Sequence, residues 1–72
     1  MSNSKRIIMS AVAGPELAGR RLDQAAAILF PAYSRGQLQK WLRNGELTVD
    51  GKVFKVTYRL NGGEALQLGG RL

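Results

Sequence analysis

Pro31 is the residue that most constrains how this chain can fold. Proline disfavours the helical conformation in the residue before it, so a helix predicted for residues 21–30 must end at Phe30. Only residues 32–34 then remain before a second helical pattern begins. The sequence therefore predicts two helices that are joined by a tight corner and pack against each other at an angle.

The first predicted helix carries its apolar residues on one face, at helical spacing. This stripe consists of Leu22, Ala25, Ala26 and Leu29, widened by Ile28 and Phe30. Asp23 stands in the first turn, where a carboxylate suits the positive end of the helix dipole. We expect Asp23 to cap this helix or to pair with Arg20 or Arg21.

The second helix has local signals at both ends. Ser34 and Gln37 have the spacing of a capping box, which predicts a helix that starts after Ser34. Tyr33, one position before the cap, is placed to pack onto Leu38 as a hydrophobic staple. An Asn-Gly pair that ends at Gly45 predicts a left-handed stop.

Two neighbouring flanks of this second helix differ in character. Its apolar stripe consists of Leu38, Trp41 and Leu42. Arg35, Gln39 and Arg43 are spaced by four residues and line up beside that stripe. We interpret the apolar flank as buried and the polar flank as a binding surface.

The second half of the chain has the pattern of a small antiparallel sheet. The Asp-Gly pair at residues 50–51 is a strong hairpin signal, because both residues can adopt the positive φ angles of a type I′ turn. In the register that this turn sets, Leu47 faces Phe54. Val49 faces Lys52 in the same register.

Three other segments are predicted to be extended. Residues 6–12 are apolar and β-branched in character, which indicates a strand at a sheet edge. Residues 55–60 alternate between apolar and polar side chains, and residues 64–68 follow a glycine turn as a last short strand. The side chains expected to face inward are Val56, Tyr58, Leu60, Leu66 and Leu68.

This order of elements predicts an α+β fold, with two packed helices followed by a small, mainly antiparallel sheet. We expect residues 1–5 to be a disordered N-terminus and residues 6–68 to form a single domain. We expect residues 69–72 to be a tail that leads into a longer protein.

The absence of cysteine and histidine from the sequence excludes disulfides, thiol nucleophiles, imidazole bases and the usual zinc sites. We therefore expect no metal, no cofactor and no small-molecule substrate. The apolar run at residues 25–30 is far shorter than the roughly 20 residues that span a bilayer, and the N-terminus lacks the apolar core of a signal peptide. We expect a cytoplasmic protein.

The net charge of +6 favours a polyanionic partner, either nucleic acid or an acidic membrane surface. Neither predicted helix combines a long basic face with a broad exposed apolar face, which argues against a membrane. The acidic residues other than Asp23 are scattered and lack a partner for acid–base catalysis. These four are Glu16, Glu46, Asp50 and Glu64.

The run "GRRLDQAAAILFPAYSRGQLQKWLRNGELTVDGK" at residues 19–52, followed by the glycine turn and "EALQL", resembles the S4 RNA-binding domain. The amino-acid sequence of this run is most similar to the S4 domain at the N-terminus of D-type pseudouridine synthases, which modify large-subunit ribosomal RNA. The resemblance implies the two-helix and hairpin unit known as the alpha-L motif. It also implies a noncatalytic, monomeric module that docks structured ribosomal RNA, with the catalytic domain missing from this chain.

The resemblance implies that Arg35, Lys40, Arg43 and Lys52 meet the RNA, with Arg20 and Arg21 as further contacts. With Gln39 and Lys55 added, the predicted RNA-binding residues are Arg20, Arg21, Arg35, Gln39, Lys40, Arg43, Lys52 and Lys55. Asp50 places a negative charge beside the proposed path of the phosphates. Asp23 lies in an Arg-Leu-Asp run like the one that carries the catalytic aspartate of pseudouridine synthases, but that run belongs to their separate catalytic domain.

Other interpretations of the sequence remain open. Tyr33, Trp41 or Tyr58 could stack on RNA bases, although core packing explains Tyr33 and Trp41 better and leaves only Tyr58 undecided. The chain could also be a free-standing ribosome-associated RNA-binding protein. A third possibility is a basic domain that docks onto an acidic protein.

Overall fold

The computed structural model describes residues 6–71, which form two helices and a three-stranded sheet. The elements are strand β1 (Arg6–Val12), a 3-10 turn (Pro15–Leu17), helix α1 (Leu22–Leu29), helix α2 (Arg35–Asn44), strand β2 (Leu47–Val49) and strand β3 (Ala65–Arg71). The predicted α+β class and the predicted strand at residues 6–12 are confirmed. The prediction for residues 1–5 lies outside the described residues.

The sheet is antiparallel, and its strands lie in the order β1-β3-β2. Leu68 of β3 pairs with Met9 of β1 on one side and with Leu47 of β2 on the other. Leu66 and Leu68 point into the core, as the sequence predicts. Because side chains alternate along a strand, the residues between them face outward.

One buried apolar cluster joins both helices to the inner face of the sheet. Trp41 is 1% exposed and lies at the centre of this packing, which confirms that it is a core residue. Its indole Nε1 donates a hydrogen bond to the carbonyl oxygen of Arg71 (3.3 Å), and the ring of Tyr33 packs edge-on against it at a centroid distance of 5.0 Å. Trp41 is therefore not available to stack on a base, and Tyr33 is partly buried against it.

The helix boundaries follow the local signals. The Oγ of Ser34 accepts a hydrogen bond from the backbone N–H of Gln37 (3.1 Å), and Gly45 ends α2 with a φ angle of 79°. Helix α1 ends at Leu29, next to the residue that precedes Pro31. The prediction for Ile28 is wrong, because its side chain is 52% exposed.

The hairpin turn is confirmed, but its second arm is not a strand. Asp50 and Gly51 have φ angles of 52° and 78°, and Val49 bridges Lys52 as a single isolated pair. Leu47 pairs with β3 instead of facing Phe54. The predicted pairing between Leu47 and Phe54 is therefore wrong.

Residues 53–58 instead lie against the start of α1. The carbonyl oxygens of Val56 and Tyr58 accept hydrogen bonds from the N–H groups of Asp23 (3.1 Å) and Leu22 (2.7 Å). These N–H groups have no partner within the helix, so the extended segment satisfies them and is itself held in place. The predicted alternation in burial persists here, since Val56 and Tyr58 are half-buried and Leu60 is buried.

Strand β3 continues through residues 69–71, which the sequence placed in a tail. Gly69 and Gly70 pair with Ile8 and Ile7 of β1. Gly70 is buried under Trp41, where a Cβ atom would lie 2.5 Å from Nε1 of the indole. A glycine is required at this position because the ring occupies the space of any side chain.

We predict that Gly70→Ala destabilises the fold by about 1–3 kcal/mol, because the added methyl group must displace a packed indole. Gly69→Ala is the matched control: its Cβ would meet no atom within 4 Å. Urea unfolding of both variants measures the difference. Equal free energies of unfolding for the two variants would contradict the packing described for Trp41.

Candidate nucleic-acid interface

The carboxylate of Asp23 is fully buried, and it connects the two helices. Its Oδ2 accepts hydrogen bonds from Nη2 of Arg21 (3.1 Å), Nη2 of Arg35 (3.2 Å) and Nε2 of Gln39 (3.0 Å). Its Oδ1 accepts a hydrogen bond from the backbone N–H of Gln24 (3.0 Å). We call Asp23, Arg21, Arg35 and Gln39 the Asp23 cluster.

The local sequence explains why these side chains meet. Arg35 and Gln39 are four residues apart on α2 and so lie on the same flank of the helix. Arg21 is the N-cap residue of α1, and Asp23 is in the first turn. Packing of α1 against α2 therefore brings the three donors to one carboxylate. The expected link between Asp23 and Arg21 is confirmed.

Two opposing effects set the pKa of Asp23. Burial raises the pKa of this carboxyl, because it disfavours the charged form. The hydrogen bonds from Gln39 and Arg35 and the positive charges of Arg21 and Arg35 lower it, and together they outweigh burial. The pKa of Asp23 therefore lies below its ordinary value of 3.8, and the carboxylate is ionised at neutral pH.

The two arginines of the Asp23 cluster are bound to the carboxylate and still remain partly exposed to solvent. The side chains of Arg21 and Arg35 remain 37% and 52% exposed, while the Asp23 carboxylate is not exposed at all. Two guanidinium groups share one negative charge, so the outer side of the cluster is positive. Guanidinium groups held in this way can donate their outward N–H groups to a phosphate.

The other predicted RNA-binding residues lie outside the Asp23 cluster. Arg43 and Lys55 are exposed and line one groove between the end of α2 and residues 53–57. Arg20, Lys40 and Lys52 are also exposed, and within residues 6–71 no hydrogen bond or ion pair joins their side chains to the cluster. The structure thus brings together five of the eight predicted residues in two neighbouring groups.

The negative charge of Asp50 has a structural role. Its Oδ1 accepts a hydrogen bond from the N–H of Ala65 (2.9 Å), and its own N–H donates to the carbonyl oxygen of Ala65 (2.8 Å). These bonds attach the hairpin turn to the first residue of β3. These hydrogen bonds therefore account for the presence of an acidic residue at position 50.

Two features of this surface were not found from the sequence. The hydrogen bonds from Arg35 and Gln39 to Asp23 span 12 and 16 residues, beyond the reach of a local pattern. Tyr58, left undecided above, stacks on Phe54 with ring centroids 4.3 Å apart, so one face of its ring is already occupied.

The comparison with known proteins identifies the family. A family model described as the S4 domain matches residues 20–66. The chain belongs to the S4 domain family. The match spans the Asp23 cluster, both helices and the hairpin turn, and it confirms the resemblance seen in the sequence. The S4 domain is an RNA-binding module.

The S4 domain of this chain is similar to part of several enzymes named ribosomal large subunit pseudouridine synthase D. It is 49% identical to that of Pseudomonas aeruginosa over 53 residues, 74% of this chain and 17% of the relative. It is 38% identical to that of Xanthomonas campestris pv. campestris over 61 residues, 85% of this chain and 18% of the relative. It is 35% identical to that of Escherichia coli K12 over 66 residues, 90% of this chain and 20% of the relative.

The chain thus covers between 17% and 20% of the length of these three relatives. Among residues 6–71, no helix is long and apolar enough to cross a membrane.

We predict that Asp23→Asn removes part of the acid sensitivity of the fold. Because the folded-state pKa of Asp23 is lowered, its contribution to stability is complete above the unfolded pKa near 3.8 and is lost as the pH falls through the folded pKa. The free energy of unfolding of the parent chain should fall in this acidic range, and that of the variant should fall less. At neutral pH the variant should be less stable by about 1–3 kcal/mol, because donors lose a charged acceptor.

Urea unfolding at a series of pH values from about 1 to 7 measures this effect. Glu16→Gln is the control, because it removes the same charge from an exposed side chain. If Asp23→Asn and Glu16→Gln had the same pH profile, the ionised Asp23 cluster would be refuted.

Proposed function

We propose that this S4 domain docks structured ribosomal RNA through the Asp23 cluster and the adjoining Arg43 and Lys55. The observation that supports this most directly is the buried Asp23 carboxylate, which orients two arginines while leaving their outer sides exposed. We further propose that the domain holds a pseudouridine synthase on large-subunit ribosomal RNA, as the names of the relatives indicate.

The chemistry of the surface suits a nucleic-acid backbone. Each guanidinium group can donate two parallel hydrogen bonds to phosphate oxygens, and Lys55 adds a mobile positive charge. Arg35, Gln39 and Arg43 follow one another along α2 at intervals of four residues, so they lie in a row beside the buried stripe. A row of donors of this kind binds successive phosphates with little dependence on base sequence.

The shape of the surface favours structured RNA. Double-stranded RNA has a deep, narrow major groove that side chains cannot read, so proteins recognise it by its phosphates, its hydroxyl groups and its shape. The side chains of this surface other than Lys55 lie on α2 or at the start of α1, and one carboxylate and a common core hold these two helices together. A preformed surface loses little side-chain entropy when it binds.

The role of the whole protein follows from this proposal. The domain would increase the time that a catalytic domain spends on its RNA substrate, while carrying out no chemistry itself. Asp23 does not take part in catalysis in this proposal, because its carboxylate is buried and occupied by three side-chain donors. We also propose that the domain acts as a monomer in the cytoplasm.

We predict that the double variant Arg35→Ala/Arg43→Ala binds a large-subunit ribosomal RNA fragment more weakly than the parent chain. Each phosphate contact releases counterions when the RNA binds, so a variant with fewer contacts releases fewer of them. The negative slope of log affinity against log salt should therefore become less steep by about 0.7–0.9 per lost contact. Fluorescence anisotropy over a salt series measures both quantities. Circular dichroism checks that the variant is folded.

The matched control is Arg6→Ala/Arg71→Ala, which removes two positive charges from paired positions of β1 and β3. This pair should leave most of the affinity and the salt slope unchanged. An equal loss for both double variants would show that net charge alone attracts the RNA. Displacement of the RNA by an acidic protein, but not by excess structured RNA, would instead favour a protein-docking domain.

A further inference from the structure

We propose that the groove beside the end of α2 is a binding site for one unpaired nucleotide of the RNA. This inference rests on the proposed function and extends it from the phosphate backbone to a single base. The groove is shallow, has a volume of about 470 Å³ and is largely open to solvent. Its apolar lining consists of Leu42, Val53, Phe54 and Val56, and Arg43 and Lys55 supply its positive charges.

The apolar part of this groove is unusual for a surface that binds phosphates. Val53 is 60% exposed, and it lines the groove together with Arg43 and Lys55. Residues 53–54 do not form a second hairpin strand, so Val53 is not part of a sheet face. An apolar lining with two cations beside it suits a ligand that is partly apolar and partly anionic.

The groove is preformed. Phe54 is fixed by stacking on Tyr58, with ring planes 24° apart. The carbonyl oxygen of Val56 accepts the hydrogen bond from the N–H of Asp23. A ligand would therefore find these walls already in place.

A nucleotide matches both parts of the groove. Its base can lie against the apolar side chains and stack on the planar guanidinium group of Arg43, while its phosphate meets Lys55. A free phosphate would leave the apolar wall exposed, and a neutral apolar ligand would leave both cations without a partner. Among residues 6–71, no acidic residue lines the groove, so an anion meets no carboxylate in its lining.

The position of the groove favours RNA over an acidic peptide. Arg43 is one turn beyond Gln39 on the flank that carries Arg35, so the groove continues the row of donors of the Asp23 cluster. The backbone contact between Asp23 and Val56 joins the two sites directly. An RNA strand that follows this row therefore reaches the groove, and a bulged nucleotide can turn into it.

Two RNA hairpins test this proposal. They have the same stem, but one carries a single bulged 2-aminopurine, whose fluorescence decreases when it stacks. The parent chain should bind the bulged hairpin about 5- to 10-fold more tightly than the paired hairpin, the gain expected for stacking of one base. The 2-aminopurine fluorescence should change on binding.

Val53→Ser should abolish most of this preference while leaving the affinity for the paired hairpin unchanged. The matched control is Val12→Ser, which alters a valine that is 65% exposed on β1, away from the groove. This control should retain the preference and the fluorescence change. Circular dichroism confirms that both variants are folded.

Three results would overturn the nucleotide site. They are equal affinity of the parent chain for both hairpins, an unchanged preference in Val53→Ser, and displacement of the bulged hairpin by a Glu-Leu repeat peptide at lower concentration than by unlabelled RNA. The last result would assign the groove to a protein partner. In each of these cases, binding of the paired hairpin would be measured separately. If that binding depends on salt and is weakened in Arg35→Ala/Arg43→Ala, the proposed function stands without the nucleotide site.

Discussion

The ion pairs and hydrogen bonds of Asp23 are the interaction on which the surface of this domain depends. A carboxylate without solvent exposure is costly unless it is fully paired, and here four donors satisfy it. Because those donors come from the start of α1 and from the exposed flank of α2, the same interaction sets the relative position of the two helices and the orientation of the arginines. In the proposed function, stability and RNA binding therefore depend on the same buried charge.

The parts of the fold that the sequence predicts correctly are those decided within a few residues. Pro31 ends α1, Ser34 caps α2, Gly45 stops it, and the Asp-Gly pair at residues 50–51 turns the chain. Each of these signals acts through backbone conformation or through a hydrogen bond to a near neighbour. They depend little on the rest of the molecule.

The errors arise where distant residues compete for the same backbone groups. Residues 55–60 alternate as a strand does, but the N–H groups at the start of α1 donate to the carbonyl oxygens of Val56 and Tyr58. Residues 69–71 look like a glycine-rich tail, but Gly70 is required beneath Trp41. The same limit applies to the Asp23 cluster. The sequence predicts Arg21, Arg35 and Gln39 as separate binding residues, and only the packing of the two helices shows that all three bind the Asp23 carboxylate.

The most direct test of this account is the affinity of Asp23→Asn for structured RNA, measured at neutral pH where the variant is folded. By net charge alone, the loss of a carboxylate should strengthen binding to a polyanion, as we expect for Glu16→Gln. Our account predicts the opposite sign for Asp23→Asn, because its arginines lose the acceptor that orients them. An affinity equal to or greater than that of the parent chain would contradict the central role of Asp23.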